Sequence, residues 1–403
     1  MIYLDNAATT QIKSEVLEAM MPYFRDLYEN PSASYDSAKI VKKTIEQARE
    51  QVANLIHCKP SEVFFTSGGT ESDNWAINMI AENYSNKGKH IITTAIEHHA
   101  VLHTTKRLEE NGFEVTYVGV DEKGMIDIEQ LENSIRPDTI LVSVMTANNE
   151  IGTIQPIKEI GKIARKNKVI FHTDAVQAYG HIPIDVSKMK IDMLSASGHK
   201  IFGPKGIGIL YIKSGIKTSS FMQGGGQEKG YRPGTYNVPA IVGMGKASEM
   251  AMETIDRNIE KYIRDYFLNR LIDEIPLCYL NGDDKERLPN NINVRFEYVD
   301  AEALLVLLNR HGICASVGSA CTTGQIEPSH VLISIGLNSE QAGESIRLTV
   351  SDFTTLNDID IAVEMLKSSV ERLRSASGKY REYIEKNRGI NMKSSGWNKK
   401  AGE

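Results

Sequence analysis

Between residues 62 and 213 the chain alternates short apolar runs with longer amphipathic ones. Runs at 63–66, 90–94, 114–118, 139–145, 169–173, 193–195 and 208–212 predict strands. Between them, 72–82, 100–110 and 157–166 repeat apolar positions at helical spacing. Strands alternating with helices predict an α/β fold, with a mostly parallel seven-stranded sheet covered on both faces. A long polar helix pattern follows over 247–266. Beyond it, strands at 291–296, 313–317 and 345–350 and helices at 301–308 and 356–375 predict a second, smaller α/β unit. The N-terminal segment is expected to pack with that unit. The expected division is a large domain over 15–254 and a small one built from 1–14 and 255–387. The Gly-, Ser- and Lys-rich stretch from Arg388 to Glu403 is expected to be a mobile tail.

In an open α/β sheet, ligands gather outside the carboxyl ends of the strands. Several polar segments of this chain fall at those ends. Ser67-Gly68-Gly69-Thr70 follows the first strand and opens a helix, and Glu97-His98 follows the second. Asn148-Asn149-Glu150-Ile151-Gly152 closes the fourth, Asp174 and Gln177 follow the fifth, and Ser197-Gly198-His199-Lys200 follows the sixth. Singly, each has an ordinary explanation as a turn, a helix N-cap or a solvated cation. Converging on one crevice, they describe something more specific. A lysine able to form a Schiff base and an acid able to pair with a pyridinium nitrogen are what pyridoxal 5'-phosphate chemistry requires. Gly69 and Thr70 would offer backbone N–H groups and a helix N-terminus to the phosphate, with Ser197 and His199 as further phosphate contacts. Gln177 could donate to the cofactor's phenolic oxygen. His98 could stack on the ring and move a proton.

Composition narrows the setting. With 46 basic and 52 acidic residues among 403, the net charge is −6, so no large basic surface for nucleic acid is expected. No apolar run approaches the roughly 18 residues of a membrane span. The opening Ile2-Tyr3-Leu4-Asp5 has no basic or apolar leader pattern, which predicts a cytoplasmic protein. The four cysteines show no C-x-x-C spacing, so neither a disulfide frame nor a metal site is expected. Cys58, Cys278 and Cys314 read as buried and inert. Cys321 instead sits among small and hydroxyl residues in Ser316-Val317-Gly318-Ser319-Ala320-Cys321-Thr322-Thr323-Gly324.

These segments, with Leu4-Asp5-Asn6-Ala7-Ala8-Thr9-Thr10 and Thr66 to Asn74, resemble the class V aminotransferase-type enzymes. Within that group the chain resembles the NifS/IscS type (group I) of cysteine desulfurase, from Ile2 to about Leu373. The resemblance implies a homodimeric, fold-type I pyridoxal phosphate enzyme that converts L-cysteine to L-alanine. It implies a Cys321 nucleophile that carries a persulfide to a sulfur acceptor, such as an iron–sulfur scaffold or a thiolation enzyme. By the same resemblance Lys200 holds the cofactor, and Lys200 or His98 serves as base. Asn149 and Arg347 bind the substrate, and Thr235 reaches the partner's phosphate. A selenocysteine lyase, a related class V aminotransferase and a low-activity sulfur-delivery partner are the alternatives. Departures from the usual pattern are Tyr35, Pro233, Tyr236 and Ser351-Asp352. Asp352 puts an anion a few residues from Arg347, which predicts an entrance less welcoming to an anionic substrate.

Overall fold

The computed structural model describes residues 1–317 and 328–395, with the backbone alone over 388–395. Its strands are β1 (Ile2–Tyr3), β2 (Val63–Thr66), β3 (His90–Thr94), β4 (Glu114–Val118), β5 (Thr139–Ser143) and β6 (Ile170–Asp174). They continue with β7 (Met193–Ser197), β8 (Gly208–Ile212), β9 (Cys278–Leu280), β10 (Asn291–Phe296), β11 (Ile313–Cys314) and β12 (Ser345–Thr349). The seven-stranded sheet runs β2-β8-β7-β6-β5-β3-β4. All neighbours are parallel except β8, which is antiparallel to both β2 and β7.

Successive residues of these strands enter two different cores, as a pleated strand buried on both faces requires. Ile92, Val142, Phe171, Leu194 and Ile209 meet the helices Asp36–Leu55, Ile157–Lys166 and Val238–Thr254. Their neighbours Ile91, Leu141, Met193 and Leu210 meet Gly69–Tyr84 and His99–Glu110. The helix Ile157–Lys166 shows how helical spacing serves this purpose: Ile157, Ile160, Ile163 and Ala164 form one buried stripe.

A smaller body is built on the antiparallel sheet β12-β10-β9. Helices Ile259–Glu274, Ala301–Arg310 and Leu356–Ala376 cover it around Phe267, Phe296, Leu304, Ile346 and Leu366. The chain's start is sealed into this body. β1 pairs in parallel with β11, Leu4 is fully buried, and Thr349 N–H donates to Leu4 O at 2.7 Å.

Three expectations change. The pattern over 247–266 is two helices, Val238–Thr254 and Ile259–Glu274, because Asn258 adopts a left-handed conformation (φ 54°) between them. Asparagine tolerates that region through local hydrogen bonding, and its amide donates to Asp256 O at 3.1 Å. β11 stops at Cys314, since Ser316 leaves it to pair with Arg347 on β12. The expected tail begins as helix: Gly378–Ser395 carries Arg388 and the residues after it, and 396–403 lie outside the described residues.

The loop over 221–236 is fastened by one buried pair. Arg49 donates to both carboxylate oxygens of Glu228 at 2.7 and 2.8 Å, and Phe65 N–H donates to Oε2 at 2.8 Å. Glu228 itself holds a left-handed backbone (φ 45°). Removing one partner strands the other charge, so Glu228→Ala should cost about 3–5 kcal/mol, read as a shift in the denaturant midpoint.

Candidate active site

Strand parity decides what the cavity contains. Ser143, His172, Asp174, Ser195 and Ser197 share a face with Leu141 and Met193, the face covered by the helix Gly69–Tyr84. At the carboxyl ends of β5, β6 and β7 this face opens into a cavity of about 400 Å³. Gly69, Thr70, His98, Asn149, Asp174, Gln177, Ser197, His199, Lys200 and Arg347 all line it. Thr235 does not; it is exposed on the loop that Glu228 fastens. Cys321 lies outside the described residues, but Val317, the last described residue before it, lines the cavity.

Lys200 Nζ donates to Ala7 O at 2.5 Å and Ala8 O at 2.8 Å. Burial and the nearby Arg347 cation bring its pKa down to about 8, against the opposing pull of Asp5 and Asp174. Asp174 is fixed by Val176 N–H, which donates to Oδ1 at 2.8 Å, and burial pushes its pKa up. Behind it lies a buried polar row that the sequence does not reveal. The His172 ring is held between Ser143 Oγ at 2.9 Å and Ser195 Oγ at 3.0 Å, and burial keeps it neutral with a pKa of about 3. Asp73 follows, its pKa raised well above the usual range by burial and by Asp174. Asp73 Oδ1 has no hydrogen-bond partner. Two buried carboxyls cannot both ionise without a counter-charge. A protonated ring nitrogen on Asp174 would supply one.

The other end of the cavity suits an anion. Gly69 packs so closely that a Cβ there would lie 2.5 Å from Val176 Cγ2, so no side chain blocks the helix N-terminus. Glu71 ties this turn down, accepting from Ser67 Oγ at 2.5 Å and from Arg232 Nε at 2.8 Å. His199 shares a hydrogen bond with Thr9 Oγ1 at 3.1 Å, and burial with Lys200 and Lys205 lowers its pKa to about 4. It therefore meets an anion as a neutral ring.

His98 departs from expectation. Its Nδ1 accepts the Ala100 N–H at 3.1 Å, capping the helix His99–Glu110. The neutral ring therefore carries its proton on Nε2 and presents a donor, not the proton acceptor the sequence suggested. Burial and Lys200 also lower its pKa, disfavouring the cation. Gln177 Nε2 donates to Ala7 O at 3.0 Å. Asn148, not Asn149, performs the turn chemistry, accepting from Glu150 N–H at 2.8 Å and Ile151 N–H at 3.0 Å. Asn149 offers its carbonyl to Arg347 Nη1 at 3.1 Å. Arg347 is 6% exposed and its Nε has no partner.

Asp352 is not at the entrance. It pairs with Lys13 Nζ at 2.6 Å beside Phe202 and Phe353, in a separate cavity, so its charge does not face an incoming substrate. Tyr236 offers its hydroxyl to Glu228 N–H at 2.9 Å, whereas Tyr35 is exposed. Cys58, Cys278 and Cys314 are half-buried, not buried. Burial still pushes the thiols of Cys58 and Cys278 up to about 12.

The chain that assembles this amine, acid, anion cradle and arginine in one cavity is similar to known proteins. The chain is 52% identical over 379 residues to a cysteine desulfurase IscS of Methanosarcina thermophila, covering 93% of each. Among solved structures, a NifS-like protein superposes with a TM-score of 0.86 at 38% identity, covering 92% of this chain and 99% of that one. SspA in complex with cysteine gives a TM-score of 0.78 at 38% identity, covering 88% and 100%. Residues 2–361 match the class-V aminotransferase family, and the chain belongs to it.

Proposed function

We propose that this protein is a pyridoxal 5'-phosphate-dependent cysteine desulfurase, converting L-cysteine to L-alanine and collecting the sulfur as a persulfide on Cys321. One juxtaposition carries the reading: Lys200, Asp174 and Arg347 line a single cavity together with Ser316 and Val317, the latter four residues before Cys321 in the chain. The family's cofactor fits the residues present. Asp174 would hold its ring nitrogen, and Gly69, Thr70, Ser197 and His199 its phosphate. Lys200 would hold its aldehyde carbon, and Gln177 and His98 would face the ring.

When bound, the cofactor anchors the substrate amino group and accepts electrons from Cα. The chain's own residues do the rest. Asp174 keeps a proton on the ring nitrogen. Arg347 and Asn149 orient the substrate through its carboxylate. Lys200, with a pKa near 8, can take the Cα proton and return one close to neutral pH. Its lowered pKa and the proton on His98 Nε2 favour Lys200 as the base. The Cys321 thiolate forms a bond to the substrate sulfur as the Cβ–S bond breaks. That electron pair stays with Cβ, which takes up a proton and yields alanine.

In this reading the cofactor residues belong to the large body, residues 15–254. The substrate fork and Cys321 belong to the small one, residues 1–14 and 255–387. Thr235, exposed and absent from its own cavity, is read as reaching the partner's phosphate in a homodimer. The persulfide goes to an acceptor protein, such as an iron–sulfur scaffold or a thiolation enzyme, in the cytoplasm. No helix among the described residues is long and apolar enough to cross a membrane. The cofactor-loaded protein, given L-cysteine and a thiol reductant, should release alanine and sulfide in equal amounts. Absence of alanine would overturn the proposal.

A further inference from the structure

Asp5 has no part in the mechanism above, yet its carboxylate stands between two pieces of the site. Arg347 Nη2 donates to Oδ1 at 3.0 Å, and Ser316 Oγ donates to Oδ2 at 2.8 Å. The backbones converge in the same place. Asp5 bridges to Thr349, two residues beyond Arg347, and Arg347 and Ser316 exchange main-chain hydrogen bonds at 2.7 and 3.2 Å. Arg347 Nη1 donates to Asn149 O, which leaves one N–H on each Nη, while the buried Nε has no partner.

We propose that Asp5 is a positioning residue for amino-acid recognition. It fixes the Arg347 guanidinium in the cavity wall, where the Nη protons not taken by Asp5 and Asn149 face an α-carboxylate, and its charge offsets that guanidinium beside Lys200. This rests on the reading of Arg347 as the carboxylate fork.

An arginine held at two nitrogens has lost most of its rotamer freedom before the ligand arrives, so less entropy is lost on binding. The charge matters separately. The ionisable groups around this point are Arg347, Lys200, Asp174, Glu150, the Tyr3 phenol and the Cys314 thiol. Arg347 disfavours a cation on Lys200, whereas Asp5 favours one. Without Asp5, Lys200 would meet the Arg347 cation with only Asp174 opposing it in a largely desolvated cavity.

A residue that merely fastened the N-terminal segment would show none of the following behaviour. The variants are Asp5→Ala and Asp5→Asn in the cofactor-loaded protein. The probes are L-alanine binding by calorimetry and a pH titration of the cofactor's visible band. Asp5→Ala should weaken L-alanine binding about tenfold, the scale of one charge-assisted hydrogen bond, and raise KM for cysteine similarly while kcat stays within about threefold. Asp5→Asn keeps an acceptor for Nη2 and should recover most of that binding. Both variants should move the band's midpoint to lower pH, because the anion that stabilised a positive charge on the lysine nitrogen is gone. Wild-type L-alanine affinity in Asp5→Ala, or an unmoved midpoint in Asp5→Asn, would overturn the proposal. Neither probe needs sulfur chemistry, so a protein that makes no alanine from cysteine would sink the desulfurase reading by itself.

Discussion

Lys200→Ala should leave a folded protein with no borohydride-reducible link to its cofactor, and alanine production should fall at least ~10³-fold, about 4 kcal/mol of lost catalysis. The argument is one of placement and of proton affinity. Nζ sits beside Ala7 and Ala8 in the same cavity as Asp174, and the variant keeps the anion cradle at Gly69, Thr70, Ser197 and His199. A pKa of about 8 makes roughly a tenth of the amine neutral at pH 7, around three hundred times the fraction of an ordinary lysine. Neutral amine is the attacking form. The rate at which the apoprotein acquires its visible band should therefore rise with pH through about 8 and level off above it. A reducible link surviving in the variant would remove Lys200 from this role, and a rate that keeps rising about tenfold per pH unit well past 8 without levelling off would show that its pKa is not lowered.

Cys321→Ser should bind cofactor and L-alanine as the wild type does, yet form no persulfide and less than about a hundredth of the alanine. A hydroxyl is far less ionised and far less nucleophilic toward sulfur than a thiol. The remaining cysteines are poor substitutes. With pKa values near 12, Cys58 and Cys278 are thiolate to about one part in 10⁵ at pH 7, and Cys314 is half-buried beside the β1 pairing. Mass spectrometry after incubation with cysteine is the direct measurement. An added sulfur on another cysteine, with Cys321 unmodified, would sink the mechanism.

The strand ends were legible because two simple rules coincide there. Buried strands read as apolar runs, and the polar residues ending them must turn the chain, so 63–66, 90–94 and 208–212 match β2, β3 and β8 to the residue. What stayed hidden depends on distant contacts. Asp5 gains its meaning from Arg347, 342 residues away. Asp73 left one faint trace, its position three residues after Thr70 on the same helix. Asp352 misled because nearness in sequence to Arg347 is not nearness in space. β12 ends at Thr349, and the chain then turns toward Lys13. The proton position on His98 could not be read at all, since an N-cap hydrogen bond to a ring nitrogen leaves no mark in composition. The Asn258 break was invisible for a similar reason. Both flanks favour helix, and one residue's φ decides the matter.

The sealing of the chain's start onto β12 sets an order of assembly during synthesis. Asn6 Nδ2 donates to Thr349 O across 343 residues. A ribosome adding ~5–20 residues per second places about 20–70 s between those partners. Through that interval the emerging polypeptide can present Lys200 and the anion cradle. It lacks Arg347, and it lacks Thr349, whose hydroxyl accepts the Ala7 N–H at 2.9 Å. A nascent chain can thus be competent to capture cofactor well before it can recognise an amino acid, since β12, the last strand among the described residues, brings Arg347.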